Sequence, residues 1–160
     1  MPPDSISLLD ENGTLKEEVR FIFETARDHD LVVGTGHISP EESLKVAEHC
    51  RDTGFRKLFF THPLSLGASI EEIQRMAELG FFVELTCLHI LLSTVKVSVV
   101  MDVIHRVGYK KCLLTTDAFF DWTPPAPEML RLWIGLLLYH GLRSELIRVM
   151  VYNNPRDLLT

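Results

Sequence analysis

The chain repeats one local phrase twice. Ser39-Pro40-Glu41-Glu42 and Ser69-Ile70-Glu71-Glu72 each set a serine three residues ahead of a glutamate, at the start of a helix-period run. This is a capping box: the serine oxygen accepts from the backbone N–H of the third helical residue, and the glutamate reaches back to the serine N–H. Pro40 at the first helical position pre-sets the backbone of the first of these helices. Glycine follows each run, Gly54 after about Thr53 and Gly80 after Leu79, where a left-handed cap ends a helix. Each capped helix sits between short apolar or β-branched runs: Leu31-Val32-Val33, Lys57 to Thr61 and Phe81 to Thr86. The pattern continues with a helix from about Thr94 to Val107 closed by Gly108, and a strand from Cys112 to Thr116. Helices over about Pro127 to Tyr139 and Ser144 to Val151 follow, with a closing turn at Asn153-Asn154-Pro155. Ahead of the first strand, Val19, Ile22, Phe23 and Ala26 mark a helical stripe over Leu15 to Asp28, and Ser5 to Leu9 reads as a further short strand.

Short apolar strands alternating with helices predict a parallel sheet covered by helices. Within 160 residues, without a linker or low-complexity stretch, they predict one α/β domain over 1–160. The alternation serves an open doubly wound sheet and a (β/α) barrel equally, so periodicity leaves the two open. A net charge of −6, without a cluster of Lys or Arg, argues against nucleic acid as partner. Cys50, Cys87 and Cys112 are odd in number and scattered, which reads as reduced thiols in a cytoplasmic protein. The N-terminus lacks the basic start and apolar core of a secretory signal. Leu88 to Val107 is interrupted by Lys96 and Asp102, and Met129 to Tyr139 is too short to cross a bilayer, so both read as buried helices and no membrane is expected.

In either architecture a ligand binds at the carboxyl ends of the strands. The residues there are His37, His62, Glu84 to Thr86 with His89 close by, and Asp117. Two imidazoles and a carboxylate from different strands, gathered on one rim, suit zinc or a related divalent ion. Such an ion lowers the pKa of a bound water and polarises a carbonyl or phosphoryl oxygen. Taken singly, each has a plainer reading: a loop histidine for His37 or His62, and a helix cap or an ion pair with Lys110 or Lys111 for Asp117. Glu84 either faces a barrel interior or pairs with a basic residue. His49, His105 and His140 lie near helix ends, where a protonated ring suits the helix dipole, and read as structural. Cys50 and Cys112 read as small core residues. Gly34-Thr35-Gly36 lacks the third glycine and the acidic residue of a dinucleotide fingerprint, which leaves only a phosphate-binding turn as its ligand reading.

The run from Val33 to Glu42 resembles the fifth-strand histidine segment of the amidohydrolase superfamily of metal-dependent hydrolases. Phe60-Thr61-His62-Pro63 is similar to its sixth-strand histidine, and Leu114-Thr115-Thr116-Asp117 to its eighth-strand aspartate. The ending Asn154-Pro155-Arg156-Asp157-Leu158-Leu159 is similar to the Asn-Pro-x-x-Leu-Leu close of such proteins. The resemblance implies about half of an eight-stranded TIM-type barrel. It also implies metal-assisted hydrolysis of an amide, ester or related bond in a small-molecule substrate. On this resemblance His37, His62 and Asp117 hold a divalent metal, with zinc expected, and Asp117 also handles the proton of the attacking water. Glu84, Thr86 and His89 support substrate or ligand. The chain departs from the family in having no His-x-His pair, the first-strand half of the site. Two alternatives follow: a non-catalytic binding or assembly module derived from such a barrel, or an open α/β domain that binds a small phosphorylated ligand. A half-barrel also leaves strand edges and an apolar face uncovered, so a homo-oligomer or a longer chain is expected.

Overall fold

The structure, a computed structural model, describes residues 6–160. Four parallel strands form one sheet in the order β1-β2-β3-β4: Val33–Gly34, Leu58–Phe60, Phe82–Thr86 and Cys112–Thr115. The register runs Gly34 opposite Phe59, Phe59 opposite Phe82, and Glu84 opposite Leu113. The helices are α1 (Glu17–Asp28), α2 (Pro40–Thr53), α3 (Ile70–Glu78), α4 (Leu88–Leu91), α5 (Val97–Val107), α6 (Ala126–Tyr139), α7 (Ser144–Arg148) and α8 (Asn154–Leu159). Both capping boxes are formed, at Ser39 with Glu42 and Ser69 with Glu72, and Gly54 ends α2 in the left-handed conformation.

Alternation along the strands separates two faces. Leu58, Phe60, Val83, Leu85, Cys112 and Leu114 are buried in the main core, against helices that touch one another in chain order: α1 with α2, α2 with α3, α3 with α5, α5 with α6. Trp133 on α6 is wholly buried and donates its indole N–H to Leu85 O at 3.2 Å, so its polar tip is satisfied. On the opposite face Phe59, Phe82, Glu84 and Thr115 are half-buried, and Leu113 is buried outside the main core. A side chain at Gly34 would collide there, because its Cβ would lie 2.6 Å from Phe59 Cζ and 2.9 Å from Thr61 Oγ1.

Several expectations are corrected. Ser5, the first residue of the expected N-terminal strand, lies outside the described residues. From Ile6 onward no strand forms there, and Leu9 makes a single antiparallel bridge to Leu15. The segment after β3 is two helices, with α4 immediately at the rim and α5 starting at Val97. Helix α6 is apolar on nearly every side but buries only the stripe Met129, Trp133 and Leu137, leaving Leu132, Leu138 and Tyr139 exposed. The turn expected at Asn153–Pro155 is helical: a π turn (Val149–Asn153) joins α7 to α8. Pro155 has no N–H to donate to an upstream carbonyl, and the wider turn ahead of it accommodates that loss.

Asn154 explains what this closing helix does. Its buried amide donates to Tyr109 O and Cys112 O, both at 2.7 Å, while Lys57 Nζ reaches Leu159 O at 3.4 Å. The C-terminal helix therefore runs from the start of β4 towards the start of β2. Asn154→Leu removes both bonds, although Tyr109 O keeps the N–H of Cys112, and is expected to cost about 1–3 kcal/mol in urea unfolding. A loss below about 0.5 kcal/mol would mean that the helix is not anchored this way. Among the described residues no helix is long and apolar enough to cross a membrane.

Candidate functional site

The carboxyl ends of β1, β2 and β3 are tied together by side chains that share hydrogen bonds. Thr61 N donates to Thr35 Oγ1, and Gly36 N donates to Thr61 Oγ1, each at 3.0 Å. Thr35 N donates to Phe59 O, so the amides of Thr35 and Gly36 are both engaged within the protein rather than aimed at an anion. Glu84 then braces β2 to β4 across β3. One of its oxygens accepts from His62 N at 3.1 Å and the other from Thr115 Oγ1 at 2.9 Å. It makes no ion pair with Lys or Arg among the described residues. Burial raises its carboxyl pKa, against the lowering effect of Thr115, the His62 amide and the His62 ring, with Asp117 adding to the rise.

His62 and Asp117, each two residues beyond its strand (β2 and β4), both take left-handed backbone conformations, φ +26° and +53°. Such conformations cost non-glycine residues about 1–3 kcal/mol and persist where surrounding contacts hold them. Here the Glu84 bond to His62 N supplies one such contact. After β3 the pairing outlasts the strand: Cys87 N donates to Thr115 O and Leu88 N to Thr116 O. Those two bonds carry α4 onto the end of β4 and set His89 beside Asp117, with Nε2 3.8 Å from Oδ2.

The result is a group of three. One ligand atom each from His62, His89 and Asp117 lies within 4.8 Å of the other two. Ligands about 2.1 Å from a tetrahedral ion are separated by about 3.4 Å, so modest side-chain movement would complete the geometry. His89 Nε2 is buried and has no hydrogen-bond partner among the described residues, so its lone pair or N–H is unengaged within the protein. Burial, assisted by the neighbouring His62 and His37 rings, lowers the His89 pKa against the pull of Asp117, which favours the neutral ring that a metal requires. These residues fit a zinc-type ion.

Thr86 is buried and its hydroxyl has no partner among the described residues; with His62, Ser65, Glu84 and His89 it lines a cavity of about 10 Å³, space for a single water. His37 is exposed and stands next to this group, its ring centroid 4.8 Å from that of His62, which in turn is 4.8 Å from His89. The histidine in closest convergence with His62 and Asp117 is therefore His89, expected as a substrate residue, rather than His37. Strand spacing explains the difference: β1 is three strands from β4, about 14 Å at about 4.8 Å per strand, whereas His89 follows the strand next to β4. Beyond Asp117 lie the exposed rings of Phe119, Phe120 and Trp122: Phe120 stacks on Trp122 with centroids 5.3 Å apart, and Phe119 lies tilted against Phe120 at 4.0 Å.

Burial pushes the Cys87 thiol up to about 11 and the Cys50 and Cys112 thiols to about 12, so none is a thiolate at neutral pH. Among the residues missed by sequence reasoning are Thr115, Ser65 and Thr94. Each bonds to a site residue, Glu84, His62 and His89 respectively. Only Ser65 carried a local signal, its position three residues after His62.

Fold and site together define an α/β protein with a His–His–Asp cluster on the carboxyl rim of a parallel sheet. A model described as a family of unknown function (DUF6282) matches residues 1–84, just over half of the chain, and the chain belongs to that family. The matched part carries His37, His62 and Glu84 and ends before His89 and Asp117. No curated protein and no solved structure matches the chain.

Proposed function

We propose that this protein is a metal-dependent hydrolase of the amidohydrolase type, built on part of a (β/α) barrel and acting on an amide, ester or related bond. The convergence of His62, His89 and Asp117, with the orphaned His89 Nε2 among them, carries the reading. The strand order supports the barrel: with right-handed crossovers, a sequential order puts successive helices on one face, whereas a doubly wound sheet reverses its order to cover both.

In this reading His62 and His89 hold a divalent ion through neutral ring nitrogens, and Asp117 binds it or takes a proton from the attacking water. The ion, zinc by the chemistry of the donors, supplies an activated water and a Lewis acid. Glu84 holds the His62 backbone in place. His37, Thr86 and the space beside them receive a small-molecule substrate. The half-buried face bearing Phe59 and Phe82 is completed by a second copy or by further chain, which also supplies remaining site groups.

Metal analysis on protein purified without added metal, with molar mass measured on the same sample, tests the reading. About one zinc-type ion per chain and turnover of an ester or amide panel are expected. An oligomer with no metal and no uptake from a zinc solution would overturn it in favour of a binding or assembly module.

A further inference from the structure

Ser65 closes a small ring with His62 that has a consequence for which nitrogen faces the cluster. Its hydroxyl lies 2.7 Å from His62 Nδ1 and 2.9 Å from His62 O. A hydroxyl has one proton to give and lone pairs to receive, and a carbonyl can only accept. Both contacts are satisfied together only if Ser65 donates to the carbonyl and Nδ1–H donates to Ser65. The carbonyl has room for it, since its other donor is Ser65 N at 3.1 Å. Proton placement then follows for the neutral ring: Nδ1 carries it, and Nε2 keeps its lone pair. Among the described residues no hydrogen bond engages Nε2.

We infer that Ser65 is a positioning residue, fixing His62 as the Nδ1–H tautomer so that Nε2 is presented to the ion. The inference rests on the metal-binding reading above and adds to it the nitrogen used and the residue that selects it. Such outer partners, which set ring orientation and tautomer, change metal affinity by about 10–100-fold when removed. Ser65 N–His62 O is a backbone bond, so Ser65→Ala keeps the turn and removes only the hydroxyl.

Two readouts on the full chain decide the matter. Long-range proton–nitrogen-15 correlation spectra of the metal-free protein in alkaline buffer report the tautomer directly. Zinc competition against a chromophoric chelator reports affinity. In the parent protein His62 is expected as Nδ1–H. In Ser65→Ala it should shift towards the Nε2–H form, with zinc bound about 10–100-fold more weakly. Ser65→Thr, which restores the hydroxyl, should recover both. A His62 that is Nε2–H in the parent protein, or a Ser65→Ala variant with unchanged tautomer, overturns the inference whatever the zinc result. A parent protein that shows Nδ1–H but binds no zinc removes the ion from the inference and sinks the hydrolase reading separately, while Ser65 still sets the tautomer.

Discussion

His62→Ala is expected to weaken zinc binding by about 10²–10³-fold. Structural zinc sites with four ligands bind with roughly 10–16 kcal/mol, so one ligand accounts for about 3–4 kcal/mol, and each 1.4 kcal/mol is tenfold. His89→Ala should be equally severe, because its buried Nε2 lies in the group of three and has no other partner among the described residues. His37→Ala should do less, since its ring packs on His62 but stands outside the group of three. His29→Ala is the control: it is exposed at the end of α1, and its ring nitrogen is engaged by Thr25 O. Chelator competition reads all four. Equal losses from His29→Ala and His62→Ala would mean surface-bound metal and end the site assignment. Binding should also weaken on acidification, because a protonated imidazole cannot ligate. Since burial holds the His89 pKa below the ordinary histidine value, His89 should drop out only at a pH below that of an unperturbed ring.

Glu42→Gln is expected to destabilise the fold by about 2–4 kcal/mol, the range for breaking charge-assisted bonds in a buried network. Glu42 is 3% exposed and does two jobs at once. Oε2 accepts from Ser39 N and Oγ, closing the capping box of α2, while Oε1 accepts from Leu8 N at 2.8 Å and Ser7 Oγ at 2.9 Å, fastening the N-terminal segment. An amide nitrogen in place of either oxygen sets a donor against a backbone N–H. For a chain of this size the melting midpoint should fall by about 6–12 °C. Burial alone would raise the Glu42 pKa, but the bonds from Leu8, Ser7 and Ser39 outweigh it and hold it below the ordinary glutamate value. A carboxyl lowered on folding contributes stability above its unfolded pKa and loses it as pH falls through the folded value. The gap between parent and Glu42→Gln should therefore narrow below about pH 4. A variant with an unchanged midpoint at pH 7 would show that the network contributes nothing.

Glu42 also marks where sequence reasoning stops. As the third residue of a capping box it was legible, because its partner Ser39 is three residues away and helix geometry alone brings them together. Its bonds to Ser7 and Leu8 span more than thirty residues and carry no local signature. The same division runs through the site. His37, His62, Glu84 and Asp117 were legible as strand-end residues, since strand and loop are set by apolar runs, glycines and caps within a few positions of one another. That His89 rather than His37 lies closest to Asp117 depended on the strand order and on two backbone bonds from Cys87 and Leu88 to the end of β4. That Glu84 is a brace rather than an ion-pair partner depended on Thr115, on the same face of the neighbouring strand, coming within reach of its carboxylate.

By itself the sequence determined the alternation of strands and capped helices, and with it which residues stand at the rim. Those depend on hydrogen bonds and hydrophobic spacing over three or four residues, whose strength does not wait for the rest of the chain to fold. Tertiary structure decided which rim residues meet, which nitrogen of His62 is left bare, and how the π turn and Asn154 bind the end of the chain to β4. Those outcomes turn on strand register and on shifts of an ångström or two between segments tens of residues apart, and side-chain order along the chain does not encode such distances.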